Sequence, residues 1–187
     1  MKKSENINTI ENHLHPEEGR WFAIYTKYKC EKYVVDKLKR KGVQAYIPLL
    51  TKVKKYTRKT KEYQLPLINC YAFVKITKPQ YVKVLETEYV MGFIKQRKNL
   101  ISIPEDEINL LRRIVGELQD IEMTPISFEP GAPVEIISGN LTGVKGKLVK
   151  TRGKNEFVVE LSNIGFQLQM IIDKSMLRPL NMASSAM

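Results

Sequence analysis

From Leu65 to Ile76 the chain is apolar at almost every position, LPLINCYAFVKI. A strand over this stretch places Ile68, Cys70, Ala72, Val74 and Ile76 on one face and Leu67, Asn69, Tyr71, Phe73 and Lys75 on the other. A strand that is polar on neither side is a central one, covered over both faces. The small and aliphatic face suits a helix lying close above. Tyr71 and Phe73 need a different cover, supplied by the protein itself or by a partner.

The remaining pattern sets elements around that strand. Trp21 to Thr26 is an aromatic and β-branched run that predicts a strand. In Lys29 to Lys41, Cys30, Val34 and Leu38 recur at four-residue spacing ahead of Gly42, which predicts a helix and its stop. Val43 to Leu49 reads as a strand whose Pro48 marks an edge or an end. Thr51 to Gln64 predicts an extended β-arm or hairpin with its tip near Arg58 to Thr60. Gln80 to Glu88 predicts a helix with Tyr81, Val84 and Leu85 inward, and Gly92 to Gln96 a short strand. Ile101 to Leu118 predicts a helix with early acids and an apolar stripe of Ile108, Leu111, Val115 and Leu118. The order β-α-β-β-β-α-β-α gives an α+β domain, helices on a mainly antiparallel sheet.

Residues 119–129 lack a period and carry Pro125, so they read as a linker. From Pro130 short apolar segments alternate with glycine turns. Val134 and Ile136 alternate, Gly139, Gly143 and Gly146 punctuate, and Phe157 to Leu161 and Phe166 to Ile172 are further strands. That spacing predicts a small β-barrel. The expected layout is a mobile leader at 1–19, a first domain at 20–118, a linker at 119–129, a barrel at 130–180 and a tail at 181–187.

Composition adds a partner. The 187-residue chain carries a formal net charge of +11, as a protein that meets an acidic polymer does. Thirteen Lys or Arg lie between Lys27 and Lys61, against only Glu31 and Asp36. On an exposed edge, the lysines of the 52–61 arm also block edge-to-edge aggregation. No apolar run approaches the roughly 18 residues of a membrane span. Cys30 and Cys70 lack CxxC spacing and read as thiols of a reducing compartment, and His13 and His15 lack a third metal ligand. There is no nucleophile elbow, P-loop or paired-carboxylate cleft, so an enzyme is not expected, nor a cofactor or metal.

Trp21-Phe22-Ala23-Ile24-Tyr25, Glu31, Pro48, Pro66-Leu67 and Tyr71-Ala72-Phe73-Val74 resemble the N-terminal (NGN) domain of NusG-type transcription elongation factors. Gly131-Ala132-Pro133-Val134 through Gly139-Asn140-Leu141-Thr142-Gly143-Val144-Lys145-Gly146 resembles a KOW motif, an SH3-like barrel. Where the housekeeping pattern has Phe-Pro-Gly-Tyr, this chain has Ile68-Asn69-Cys70-Tyr71. That departure, with Pro66-Leu67-Ile68-Asn69, is similar to specialised paralogues of the UpxY, LoaP and RfaH kind, which act at particular operons.

The resemblance implies a cytoplasmic antitermination factor. It implies docking on the clamp helices of RNA polymerase through Tyr25, Ile68, Tyr71, Phe73, Ile108 and Leu111. It implies that Lys27, Lys29, Lys37, Arg40 and Lys41 touch the non-template DNA strand, with Tyr28, Tyr33 and Arg40 as base-contact candidates. The 52–61 arm is a further basic surface within reach of nucleic acid. Rho or a small-subunit ribosomal protein would engage the KOW domain. The alternative is a ribosome-associated or RNA-binding KOW protein.

Overall fold

The computed structural model describes residues 10–57, 59–117, 121–125, 131–151, 154–161, 166–172 and 174–180. The described chain divides into two compact units, residues 1–47 with 70–104 and residues 48–69 with 105–187.

The first unit holds strands β1 (Arg20–Thr26) and β2 (Gln44–Tyr46) and helix α1 (Glu31–Arg40). The first strand of the second unit, β3 (Leu49–Tyr56), pairs with β4 (Lys59–Pro66) in a hairpin of its own. The chain then returns to the first unit with β5 (Tyr71–Ile76), α2 (Tyr81–Leu85) and β6 (Val90–Phe93). The resulting sheet runs β2-β5-β1-β6 and is antiparallel throughout. The apolar stretch is therefore central, as its pattern predicts, but it is not one strand. β4 ends at Pro66 and β5 starts at Tyr71, with bends and a turn between them and Cys70 at φ 65.

Alternation then sorts the side chains of β5. Ala72, Val74 and Ile76 join Phe22, Ile24, Val34, Val35, Leu38 and Val84 in one buried cluster, so the aliphatic face is covered by α1 and α2. Each such side chain contributes roughly 1.5–3 kcal/mol on burial. Of the residues expected inward on the second helix, Val84 is buried but Leu85 is exposed, because α2 is only five residues long. Helix α1 stops as its sequence requires. The Val43 amide bonds the Leu38 carbonyl at 2.9 Å and the Gly42 amide bonds the Lys39 carbonyl at 3.0 Å, with Gly42 at φ 74. This is a Schellman closure, and Val43 and Leu38 are buried together beneath it.

The described half of the leader makes contacts with the first unit. The His13 amide bonds the Leu100 carbonyl, the Leu100 amide bonds the Glu11 carbonyl, and Leu14 packs on the core. His13 is not a free solvated side chain. Its Nδ1 accepts the Ser102 amide at 3.1 Å, and its Nε2 lies 2.6 Å from Glu11. Residues 1–9 lie outside the described part.

In the second unit, α3 (Glu105–Glu117) precedes β7 (Ile121–Pro125), β8 (Ala132–Ile136), β9 (Lys145–Thr151), β10 (Lys154–Leu161), β11 (Phe166–Ile171) and β12 (Leu177–Pro179). The last six form one antiparallel sheet, ordered β12-β8-β9-β10-β11-β7. Part of the expected linker is thus a strand, because Ile121 to Pro125 pairs in register with β11. The buried side of α3 is Ile108, Leu111 and Ile114, where Val115 was expected; Val115 is half-buried and Leu118 lies outside the described residues. The tip residue Arg58 and the tail at 181–187 also lie outside them. Among the described residues no helix is long and apolar enough to cross a membrane.

Candidate nucleic-acid and protein interfaces

Two tyrosines define the first surface. Tyr25 on β1 and Tyr71 on β5 are cross-strand partners, so their side chains leave the same face of the sheet. Their rings meet edge to face with centroids 5.8 Å apart. Tyr25 is 45% exposed and Tyr71 is half-buried. Burial, then the neighbouring Tyr25 and Cys70, pushes the Tyr71 phenol above its ordinary range. Amphipathic rings of this kind anchor protein interfaces.

Glu31 positions this pair. It is a nearly buried carboxylate in the first turn of α1, and its Oε1 accepts the Cys70 amide at 2.7 Å. The Cys70 carbonyl in turn accepts the Thr26 amide at 2.8 Å. The left-handed residue that aims Tyr71 is therefore held from both sides.

The other expected docking residues are not on a surface in this conformation. Phe73 is 0% exposed, and its ring lies beside Tyr46 of the adjacent strand with centroids 6.3 Å apart. Ile68, Ile108 and Leu111, which belong to the second unit, are buried as well. The expectation of an accessible apolar hollow walled by Tyr71 and Phe73 is corrected accordingly. Phe73 faces the same way as Tyr71 but sits two residues further along the strand, in the middle of the sheet, where it is core.

The second surface gathers the basic residues around aromatic rings. Tyr33 of α1 and Tyr89, just before β6, meet at 5.4 Å between centroids. The Tyr33 hydroxyl donates to Glu88 at 2.7 Å. Hydrogen bonds from Tyr33 and then Tyr89 hold the Glu88 carboxyl below its usual range. The Lys37 ammonium lies 5.3 Å from the Tyr33 ring, Lys27 5.5 Å from Tyr89, and Lys29 5.2 Å from the exposed Tyr28. Cations over ring faces form a mixed stacking and charge platform.

Arg40 and Lys41 do not join that platform. Arg40 pairs with Asp36 at 2.8 Å one turn back, and the Lys41 ammonium donates to the Thr87 hydroxyl at 2.9 Å. Glu88 and Tyr89 were missed from the sequence because Glu88 reaches Tyr33 across 55 residues and Tyr89 follows it directly. A faint signal existed, since Glu88-Tyr89 is an acid and an aromatic in the short turn between α2 and β6.

A third arrangement lies within the second unit. Arg113 of α3 reaches the glycine turn between β8 and β9. Its Nε donates to the Asn140 carbonyl at 2.8 Å, and its Nη2 donates to that same carbonyl and to the Thr142 carbonyl. Gly139 and Gly143, at φ 77 and 85, shape the turn that presents those carbonyls. Cys30 and Cys70 are free thiols, and among the described residues no group of three His, Cys, Asp or Glu could hold a metal.

Comparison with known proteins places this geometry in context. The model of the family described as transcription termination factor nusG matches residues 19–112. Among solved structures, that of domain interaction in Thermotoga maritima NusG is similar at a TM-score of 0.51 and 19% identity, over 88% of this chain and 98% of that one. At that identity the likeness concerns the fold. A crystal structure of the MjSpt4:Spt5 complex aligns at a TM-score of 0.30 and 18% identity, over 86% of this chain and 97% of that one. No curated protein matches.

Proposed function

The chain belongs to the NusG family, and on that premise we propose that it is a transcription elongation and antitermination factor of a specialised, operon-directed kind. NusG proteins are transcription factors rather than enzymes, and the reading here needs binding energy alone. Tyr25 and Tyr71 meet the clamp helices of RNA polymerase. Phe73 supports that contact as a buried residue of the same strand face as Tyr71, and Ile68, Ile108 and Leu111, buried in the second unit, would join it only in a state that uncovers them. The non-template strand runs over Tyr28, Tyr33 and Tyr89, with Lys27, Lys29 and Lys37 supplying phosphate contacts that carry no sequence choice. Arg40 and Lys41 extend the basic edge. By holding the clamp and the strand together the protein suppresses pausing and lets polymerase pass terminators.

The observation that carries the nucleic-acid half is the meeting of Tyr33 and Tyr89 under two lysines. Stacking of a base on one such ring is worth roughly 1–3 kcal/mol. The six-stranded C-terminal sheet is read as the KOW module and, through its glycine turn, as the seat of a further partner, Rho or a small-subunit ribosomal protein. Free thiols at Cys30 and Cys70 fit work in the cytoplasm.

The test is transcription in vitro through an intrinsic terminator with purified polymerase. Added protein is expected to raise read-through and shorten pauses. Tyr33→Ala with Tyr89→Ala is expected to remove most of that gain. Unchanged read-through and pausing with the intact protein refutes the function, and an unaltered gain with the double variant refutes the platform.

A further inference from the structure

The hairpin of β3 and β4 has two unlike faces. Its register pairs Lys52 with Tyr63, Lys54 with Lys61 and Tyr56 with Lys59, and pairs Val53 with Glu62 and Lys55 with Thr60. Residues directly opposite share a face, and the faces alternate along each strand. One face therefore carries Lys52, Lys54, Tyr56, Lys59, Lys61 and Tyr63. The other carries Thr51, Val53, Lys55, Thr60, Glu62 and Gln64. Among the described residues all the cations but Lys55 lie on the first face, both tyrosines join them, and the one acid lies opposite. The Lys54 ammonium lies 5.3 Å from the Tyr56 ring, which confirms that the two share a side.

Among the described residues neither strand of this ribbon is hydrogen-bonded into another sheet. It pairs as a two-stranded sheet alone. It is rooted by Leu50, Leu67 and Ile68, which are buried, and by the bond from the Leu67 amide to the Pro48 carbonyl at 2.8 Å. Beyond that root the described residues are exposed, save Lys52, which is half-buried. Aggregation control by edge lysines does not account for the arrangement. It asks for charge along an edge, whereas here Lys54 and Lys61 are set directly opposite each other, where like charges repel. Such a pairing is costly until an anion lies over it.

We infer that this face is a second nucleic-acid site, separate from the tyrosine platform, and that its occupant is duplex DNA. Charge complementarity selects a polyanion. Shape selects the duplex. A two-stranded ribbon fits the major groove of B-form DNA, which is about 12 Å wide, whereas the major groove of A-form RNA is deep and narrow. Eight residues of strand at about 3.3 Å each span roughly 26 Å, most of a helical turn. The lysines meet phosphates, and tyrosine hydroxyls donate to phosphate oxygens.

The experiment measures binding of the full-length chain to a labelled 20-base-pair duplex by fluorescence anisotropy across salt. Each phosphate contact contributes about 0.9 to the slope of log affinity against log salt. Lys54→Ala with Lys61→Ala is therefore expected to lower that slope by about 1.8 and, if affinity extrapolated to 1 M salt is unchanged, to weaken binding about 60-fold at 0.1 M salt. Lys54→Glu is expected to abolish duplex binding without lowering the melting temperature, because it turns a repelling cross-strand pair into an attracting one. That combination separates a lost contact from a lost fold. Lys55→Ala on the opposite face, and Lys54→Arg with Lys61→Arg, are expected to leave binding within twofold. An unchanged slope in the Lys54/Lys61 double alanine variant overturns the inference. So does equal weakening by Lys55→Ala, or a loss of single-strand or RNA-duplex affinity in the Lys54/Lys61 double alanine variant at least as large as its loss of DNA-duplex affinity.

Discussion

Replacing Glu31 by alanine tests how the tyrosine pair is held. The carboxylate does two separable things. It sits in the first turn of α1, where a negative charge is worth about 0.3–1 kcal/mol against the helix dipole. It also accepts the Cys70 amide at 2.7 Å. A bond to a charged acceptor is worth about 1.5–3 kcal/mol, and Cys70 is only partly buried, so water recovers some of the loss. The expected cost of Glu31→Ala is about 2 kcal/mol, which for a unit of this size shifts melting by roughly 8–15 °C. Glu31→Gln keeps an acceptor in place and loses the charge, so about half that cost is expected. Cys70→Gly in the alanine background is expected to recover about 1 kcal/mol, because glycine adopts the φ of 65 without the penalty of a side chain. Calorimetry gives the stabilities, and the Tyr25 and Tyr71 ring resonances report the surface. Equal losses for Gln and Ala would mean that Glu31 acts only through the helix dipole. A loss under about 0.5 kcal/mol for Ala would refute the clamp outright.

The other predictions concern separate regions. In the C-terminal sheet, a Cβ at Gly146 would lie 2.4 Å from the Val158 carbonyl oxygen and 2.7 Å from the Phe157 ring. Gly146→Ala is thus expected to cost about 2 kcal/mol or more and to lower the midpoint of urea unfolding for that unit; an unchanged midpoint would mean the strands are not this close. At the platform, the folded Glu88 carboxyl titrates below its unfolded value, so its contribution is present above the unfolded pKa and fades as pH falls through the folded one. Tyr33→Phe removes the first cause and is expected to move the Glu88 titration upward, read by carboxyl NMR; no movement would break the Tyr33–Glu88 link.

The sequence displays elements that rest on local chemistry. The aromatic run at Trp21 to Thr26 is β1, and the four-residue spacing ahead of Gly42 is α1 with its closure. The α+β character of the first domain was legible for that reason. The break between β4 and β5 was hidden, because the left-handed backbone falls on Cys70, a residue that gives no turn signal. The hint was indirect: the housekeeping run has glycine at that position, where the backbone is left-handed here. β7 was hidden too, since a strand ending at a proline on a sheet edge has no pattern of its own. At the candidate surfaces, residue type singled out tyrosines and lysines but could not give their depth. Whether Phe73 is an anchor or core depends on its place along β5 and on neighbours supplied by other strands.

The Arg113 guanidinium grips peptide oxygens, which every residue but none in particular supplies. A side-chain change at Asn140 therefore leaves the tether's acceptor in place, whereas Thr142 also donates its hydroxyl to the Gly139 carbonyl and braces the bend from within. Loss of that one side chain would leave both oxygens without this partner at a stroke, so the position of the turn relative to α3 hangs on Arg113.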